Sequence, residues 1–374
     1  MRILLDVTPL DTGHSARGIG TYVRGLLQGL RALDTPHTWI LITHAPDALP
    51  ERPSRSVVIR LPRPPLGRLT AFVTHQILMP LWLLRSGADL AHFPGISAHF
   101  SVTGLPWRVP LPFVVTLHDF TPLHMPELLH GKRINHWWYA RQRSWARWAR
   151  RWICVSQATR DDAVRFLNVP SERCVVIYEG VDTSLFHPAL EPRPDPPIIL
   201  FVGGDFPNKN RHAVLTAFSR LCQETDLPHR LVLIGPDARD ERHLANAYPG
   251  LDPSRITCIP SVDRGTLARY FRRADLFVFP SRHEGFGLPV LEAMASGTPV
   301  ITSTASSLPE VAGDAAILVD PDDVAGLFAA MRRVLSDPAL AWKLRRAGLA
   351  QARRFTWEET ARRTVEVYEA ALQG

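Results

Sequence analysis

Pro280-Ser-Arg-His-Glu-Gly-Phe-Gly-Leu-Pro-Val-Leu-Glu292 decides the architecture of this chain. It follows Ala274-Asp-Leu-Phe-Val-Phe279, an apolar run short enough for one buried strand. Beyond it, Val290 to Ala295 read as a helix with Pro289 in its first turn, where proline's missing N–H does no harm. Gly285 and Gly287 let the backbone of the intervening turn approach a ligand closely. Unpaired N–H groups at such a helix N-terminus favour an anion, for example a diphosphate. Glu284 stands in the turn, and Glu292 lies about one helical turn in, eight positions later. Carboxylates repel phosphate, but they accept hydrogen bonds well from sugar or ribose hydroxyls. A nucleotide-sugar site follows from this combination.

The segment resembles the Glu-x7-Glu signature of the retaining glycosyltransferases called family 4, which have the GT-B fold. The likeness continues through Ala293-Met-Ala-Ser-Gly-Thr-Pro-Val-Ile301, Ser307-Leu-Pro-Glu-Val-Ala-Gly-Asp-Ala315 and Leu318-Val-Asp-Pro-Asp322. It spans nearly the whole chain and is vaguest from Arg31 to Leu69. The resemblance implies an α/β protein of two Rossmann-like domains, each a doubly wound parallel sheet, facing a cleft. Residues 1–186 are expected to form an acceptor-binding domain and 187–197 a linker. Residues 198–355 form the nucleotide-sugar-binding domain, and a last helix, 356–374, returns to the first.

Composition agrees with two domains. At 374 residues the chain exceeds the usual size of one hydrophobic core. Cys154, Cys174, Cys222 and Cys258 are scattered, so neither a disulfide framework nor a zinc site is expected. Asp6 interrupts the first apolar run too early for a signal peptide, and no apolar run reaches the roughly 18 to 20 residues that span a bilayer. A cytoplasmic protein is expected, with the inner face of the plasma membrane as one place for it. The net charge of +7 suits an anionic surface or a phosphorylated substrate. Only Lys132, Lys209 and Lys343 are lysines.

Outward from the deciding stretch, the apolar runs at 2–7, 39–43, 56–61, 88–93 and 113–117 read as strands separated by helical patterns, hence a parallel sheet. The first ends in a loop carrying Arg17-Gly-Ile-Gly-Thr-Tyr22, a phosphate-tolerant glycine pair without the third glycine of the dinucleotide fingerprint. His118-Asp119 closes the run 113–117 at a strand's carboxyl end, where ligands gather in such sheets. Lys132 to Trp152 interleaves seven cations with six aromatics and no acid. Tryptophan beside arginine suits a lipid headgroup interface, so peripheral membrane contact is expected there, and nucleic acid is not. A second set of strands opens at Ile198-Ile-Leu-Phe-Val-Gly203, followed by Gly204 and Lys209, a point charge placed to neutralise phosphate.

Residue roles follow from the resemblance. Gly18-Ile-Gly-Thr-Tyr22 is similar to the first loop of bacterial mannosyltransferase-like members, and Val115 to Pro122 to the loop whose histidine contacts the transferred sugar. His118 and Glu284 are therefore the expected catalytic residues. Gly18, Gly20, Gly203, Gly204, Lys209, Val262, Gly285, Phe286, Gly287, Leu288 and Glu292 are the expected donor-binding ones. Many members carry an arginine where this chain has Gly204, and Arg211 is a candidate replacement. The implied activity is retaining transfer of a hexose, first of all mannose from GDP-mannose, to a lipid-linked saccharide or surface polysaccharide. It needs neither cofactor nor metal, because lysine and helix dipole neutralise the leaving diphosphate. A UDP-sugar donor, a nucleotide-sugar epimerase of the same fold, and a non-catalytic lipid- or nucleotide-binding protein are the alternatives.

Overall fold

Short apolar runs, closed by glycine, proline and polar residues, become thirteen strands among the described residues, and every pairing between them is parallel. The structure is a computed structural model that describes residues 1–11, 18–49, 52–62, 68–96, 104–129, 133–188, 195–235 and 241–373. Two compact units divide the chain, Met1–Gly180 with Thr356–Gly374, and Val181–Phe355. The division falls ahead of the linker expected at 187–197, because the Val181 N–H donates to the Phe355 carbonyl at 3.1 Å and ties that segment to the second unit. Positions 189–194 of that linker lie outside the described residues.

In the first unit, β1 (Arg2–Asp6), β2 (Thr38–Thr43), β3 (Ser56–Arg60), β4 (Leu90–Phe93), β5 (Phe113–Leu117), β6 (Arg151–Cys154) and β7 (Cys174–Val176) form one sheet in the order β3-β2-β1-β4-β5-β6-β7. β1, β4 and β5 are interior and, Arg2 apart, buried on both faces, as parallel strands covered by helices are. One face packs Leu4, Ile40, Phe93, Val115 and Trp152. The other packs Ile3, Leu5, Leu41 and Ile153 beneath the helices Gly18–Ala32 and Trp357–Gln373. Those two helices touch where Gly25 and Gly29 leave room. A Cβ on Gly29 would stand 2.1 Å from the Trp357 carbonyl oxygen, and one on Gly25 2.0 Å from the Trp357 ring.

The second unit is a six-stranded sheet: β8 (Ile198–Val202), β9 (Arg230–Ile234), β10 (Ile256–Ile259), β11 (Leu276–Phe279), β12 (Val300–Ser303) and β13 (Ile317–Val319), in the order β10-β9-β8-β11-β12-β13. Strand order reverses between β1 and β4 in one sheet and between β8 and β11 in the other. Ligands of open α/β sheets bind outside the carboxyl ends of the strands at such reversals. No helix among the described residues is long and apolar enough to cross a membrane.

Candidate active site

The deciding stretch sits at the reversal of the second unit, directly after β11. Gly287, with φ of 113°, caps the helix Leu288–Ala295 in a left-handed conformation that few other residues adopt. Its carbonyl accepts the Val290 N–H at 2.9 Å. Among the described residues the N–H groups of Gly287 and Leu288 meet no acceptor, which is the helix-terminal donor pair that an anion would take. The helix begins two residues earlier than Val290, with Pro289 at its second position.

Ser306 and Ser307, after β12, hold the loop in place. Ser306 Oγ accepts the Glu284 N–H at 2.8 Å and donates to the Glu284 carbonyl at 3.0 Å, while Ser307 Oγ is 2.8 Å from the Phe286 carbonyl. Phe286 is buried against Phe355. The Glu284 side chain is thereby turned to Lys209, whose Nζ donates to both carboxylate oxygens at 2.8 and 3.0 Å. The two side chains are 12 and 23 % exposed, and the ammonium also lies 5.1 Å from the Phe279 ring centroid. The expected sugar-binding acid and the expected phosphate-binding base thus neutralise each other in a half-buried place.

Lys209 is delivered by the short turn Pro207–Lys209 beyond β8. Asn210 follows in a left-handed conformation, its buried Nδ2 donating to the carbonyls of Pro280 and Pro321 and binding the two strand ends together. Gly203 and Gly204 follow β8, and the Gly203 N–H donates to the Ile234 carbonyl at the end of β9 at 2.8 Å. A Cβ on Gly235 would be 2.3 Å from the Gly203 carbonyl oxygen. Arg211, the candidate replacement for the arginine absent at position 204, is buried, and its Nη2 lies 2.6 Å from Asp205. Glu292 is buried one turn into its helix, with Arg264 Nη1 3.6 Å away; Arg264 in turn lies over the Phe186 ring. Val262, two residues before Arg264, is half-buried beyond β10. Asp320 and Asp322 have the Asp-x-Asp spacing of a metal pair. Asp320 accepts the Asp322 N–H, however, and Asp322 Oδ1 holds Arg282 at 2.9 Å.

In the first unit the glycine pair belongs to the helix Gly18–Ala32 and not to the loop before it. Gly18 is exposed with open space around it, and Gly20 is buried. Arg17 lies outside the described residues. His118 follows β5 with its ring edges occupied: Nδ1 is 3.1 Å from Glu179 Oε1, and Nε2 is 2.8 Å from the Pro94 carbonyl. Behind it His92 is fully buried between Tyr368 Oη at 2.6 Å and Thr116 Oγ1 at 2.8 Å. Burial, and then the charge of His118, push the His92 imidazole down to about 3, so it is neutral. At the end of β1 burial raises the Asp6 carboxyl to about 6, against the pull of hydrogen bonds from Thr8.

The tryptophan-rich stretch divides between core and surface. Trp138 and Tyr139 on the helix Arg133–Ala146, and Trp152 on β6, are buried, so they offer nothing to a headgroup layer. Ile134, Trp137 and Trp148 remain exposed, Trp148 by 79 %. Arg141 stacks on Trp137, and Trp148 lines an open pocket of about 600 Å³ with Trp107, Arg108 and Arg150. Lys132 lies outside the described residues.

Sequence reasoning missed Arg264, Ser306, Ser307 and Glu179. The hydroxyl-rich run Ser303-Thr304-Ala305-Ser306-Ser307 at the end of a buried strand was a usable signal for the serines. Glu179 carried none, since its partner is 61 positions away.

The description "Glycosyl transferases group 1" matches residues 182–352, and "Glycosyltransferase Family 4" matches residues 16–185. The chain is 30 % identical over 327 residues to O-antigen chain mannosyltransferase B of Escherichia coli, covering 81 % of this chain and 83 % of that protein. It is 37 % identical over 228 residues to an MMP alpha-(1->4)-mannosyltransferase of Mycolicibacterium hassiacum, covering 59 % of this chain and 54 % of that one. Other relatives are matched over a third to a half of their own length. Among solved structures, a sucrose-phosphate synthase from Thermosynechococcus elongatus superposes with a TM-score of 0.78 at 23 % identity, covering 99 % of this chain and 98 % of that one.

Proposed function

We propose, for a chain that belongs to the group 1, family 4 glycosyltransferases and has their GT-B fold, transfer of mannose from GDP-mannose with retention at the anomeric carbon. The acceptor in this reading is a lipid-linked saccharide or a growing surface polysaccharide. The observation that carries the reading is the pair Lys209–Glu284 set beside the free N–H groups of Gly287 and Leu288. An arriving diphosphate takes the ammonium and the helix terminus. The carboxylate so released turns to the hydroxyls of the sugar, Glu292 takes the ribose, and His118 takes the transferred sugar. The bond from the anomeric carbon to the β-phosphate oxygen breaks, the acceptor oxygen bonds to that carbon on the same face, and its proton passes to the leaving phosphate. Fixed dipoles and one cation stabilise the departing charge, so the reaction is assigned no metal.

A thermal-shift screen against GDP, UDP, ADP and their sugar conjugates, without metal, tests the donor. A ligand bound only by the native state at a hundred times its Kd stabilises by about 2.7 kcal/mol. Selective stabilisation by GDP and GDP-mannose is expected. A uridine-selective shift overturns the mannosyl reading, and no shift with any nucleotide overturns the donor site itself.

Membrane contact is part of the same proposal, now resting on Ile134, Trp137 and Trp148 with the exposed Arg133, Arg141, Arg147 and Arg150. Exposed tryptophan and arginine on one short segment suit an anionic headgroup layer. The chain should co-sediment with vesicles containing phosphatidylglycerol and not with pure phosphatidylcholine vesicles. Trp137→Ala with Trp148→Ala should weaken that binding about tenfold or more, given the apolar area lost. Unchanged sedimentation of the double variant would remove this surface from consideration.

A further inference from the structure

We propose that Glu179 is a positioning residue for His118, fixing the ring that meets the transferred sugar. This rests on the reading of His118 given above. Glu179 lies just past β7 and its side chain is 3 % exposed; His118 is 14 % exposed. Carboxylates are rarely buried without a partner, and Oε1 lies 3.1 Å from His118 Nδ1. On the other edge Nε2 faces the Pro94 carbonyl, which can only accept, so Nε2 carries a hydrogen. The carboxylate on one edge and the carbonyl on the other give each ring nitrogen one acceptor.

Other groups border the ring without holding Nδ1. Tyr22 lies against it with ring centroids 4.9 Å apart at 83°, and Gly95 leaves room beside Cδ2, where even an added Cβ would stand 3.7 Å off. The His118 carbonyl accepts from Thr159 Oγ1. The backbone on either side of Glu179 is pinned to the helix Trp357–Gln373. Thr360 Oγ1 donates to the Tyr178 carbonyl at 2.8 Å, and a Cβ on Gly180 would stand 2.4 Å from the Trp357 nitrogen. The last helix of the chain therefore sets the orientation of His118 through one carboxylate. Without Glu179, Nδ1 loses its acceptor and the ring is free to turn toward water.

The test compares how much the sugar adds to binding. Calorimetry gives the affinity of GDP-mannose relative to GDP, or of UDP-glucose relative to UDP where the screen selects uridine. This is measured in the parent, Glu179→Ala, Glu179→Gln, His118→Ala and the double variant His118→Ala with Glu179→Ala. Glu179→Ala should cut the sugar's contribution about tenfold, since a ring out of place no longer packs on the sugar, with the bare nucleotide's affinity unchanged. Glu179→Gln, which keeps an oxygen for Nδ1–H, should fall between, and it carries the comparison if the alanine variant does not fold. In the His118→Ala background Glu179→Ala should cost nothing more. An equal loss in both backgrounds, or parental affinities for both Glu179 variants while His118→Ala is impaired, overturns the positioning role alone. Parental behaviour of His118→Ala removes the assignment of His118 itself, and the role of Glu179 with it.

Discussion

Glu284→Ala should lower sugar transfer at least about a hundredfold, the loss typical of misplacing reacting groups, and should leave GDP binding intact or tighter. The second half of that expectation comes from the ion pair. Lys209 Nζ is held by both oxygens of Glu284, so the carboxylate competes with a diphosphate for the same ammonium. Removing the acid frees the base. Removing the base does the reverse. Lys209→Ala takes away a charge-assisted hydrogen bond worth about 1.5–3 kcal/mol, so GDP should bind roughly 10- to 150-fold more weakly. It also leaves Glu284, only 12 % exposed, without its cation beside an incoming anion. The two variants therefore move nucleotide affinity in opposite directions while both lose transfer, measured as GDP released from GDP-mannose in the presence of acceptor. Near-parental turnover of Glu284→Ala would falsify its assignment. Equal weakening of GDP by both variants would mean that the side chains do not exchange partners when nucleotide arrives.

Gly29→Val should be the most damaging single change to stability in the first unit. A Cβ at position 29 would stand 2.1 Å from the carbonyl oxygen of Trp357 and 2.8 Å from the Ala361 Cβ. The first obstacle is backbone, which cannot swing aside as a side chain does. Overpacking in a core costs about 1–3 kcal/mol and sometimes more, and here relief requires two helices to part. Trp357, Ala361, Val365 and Tyr368, all buried, would lose part of their packing together. At about 2–4 °C per kcal/mol for domains of 150–250 residues, a fall in Tm of about 10 °C is expected. Gly18→Ala is the control. Among the described residues nothing beyond its chain neighbours lies within 4 Å of a Cβ built there, and alanine gains up to about 1 kcal/mol over glycine in a helix, so Tm should hold or rise. A Gly29→Val protein as stable as the parent would show that the helices have room to spare.

The fold was legible in the sequence because its determinants are local. Each buried parallel strand is a short apolar run, and Ala274–Phe279 and Ile198–Gly203 needed no partner to be recognised. The helix at Leu288 announced itself by Gly287 and Pro289. The candidate site was legible only as a set of residue types. Lys209 and Glu284 each read as charged groups near a strand end, yet nothing in the sequence reveals that they meet, since 75 positions separate them. His118 and Glu179 present the same difficulty. The tryptophan stretch is legible only in part. Its composition suits an interface, but composition does not say which side of a helix faces the core, and the arginines beside Trp138 and Trp152 conceal how completely those rings are buried. Glycine is a turn residue by default, so the pair at 18 and 20 reads as a loop. In the structure they open a helix, where the absent side chain leaves Gly18 unobstructed.

The grouping of Thr356–Gly374 with Met1–Gly180 has a consequence during synthesis. The first unit leaves the ribosome without the helix that covers Tyr22, Leu26 and Gly29. The 175 residues of Val181–Phe355 must be translated before that helix appears. At about 5–20 residues per second the wait is roughly 10–35 s. The second unit, continuous in sequence, can fold meanwhile, and the earlier one closes last. Through that interval an apolar groove along the helix Gly18–Ala32 is open to chaperones. A nascent chain cut short before Thr356 would keep that groove for the rest of its life.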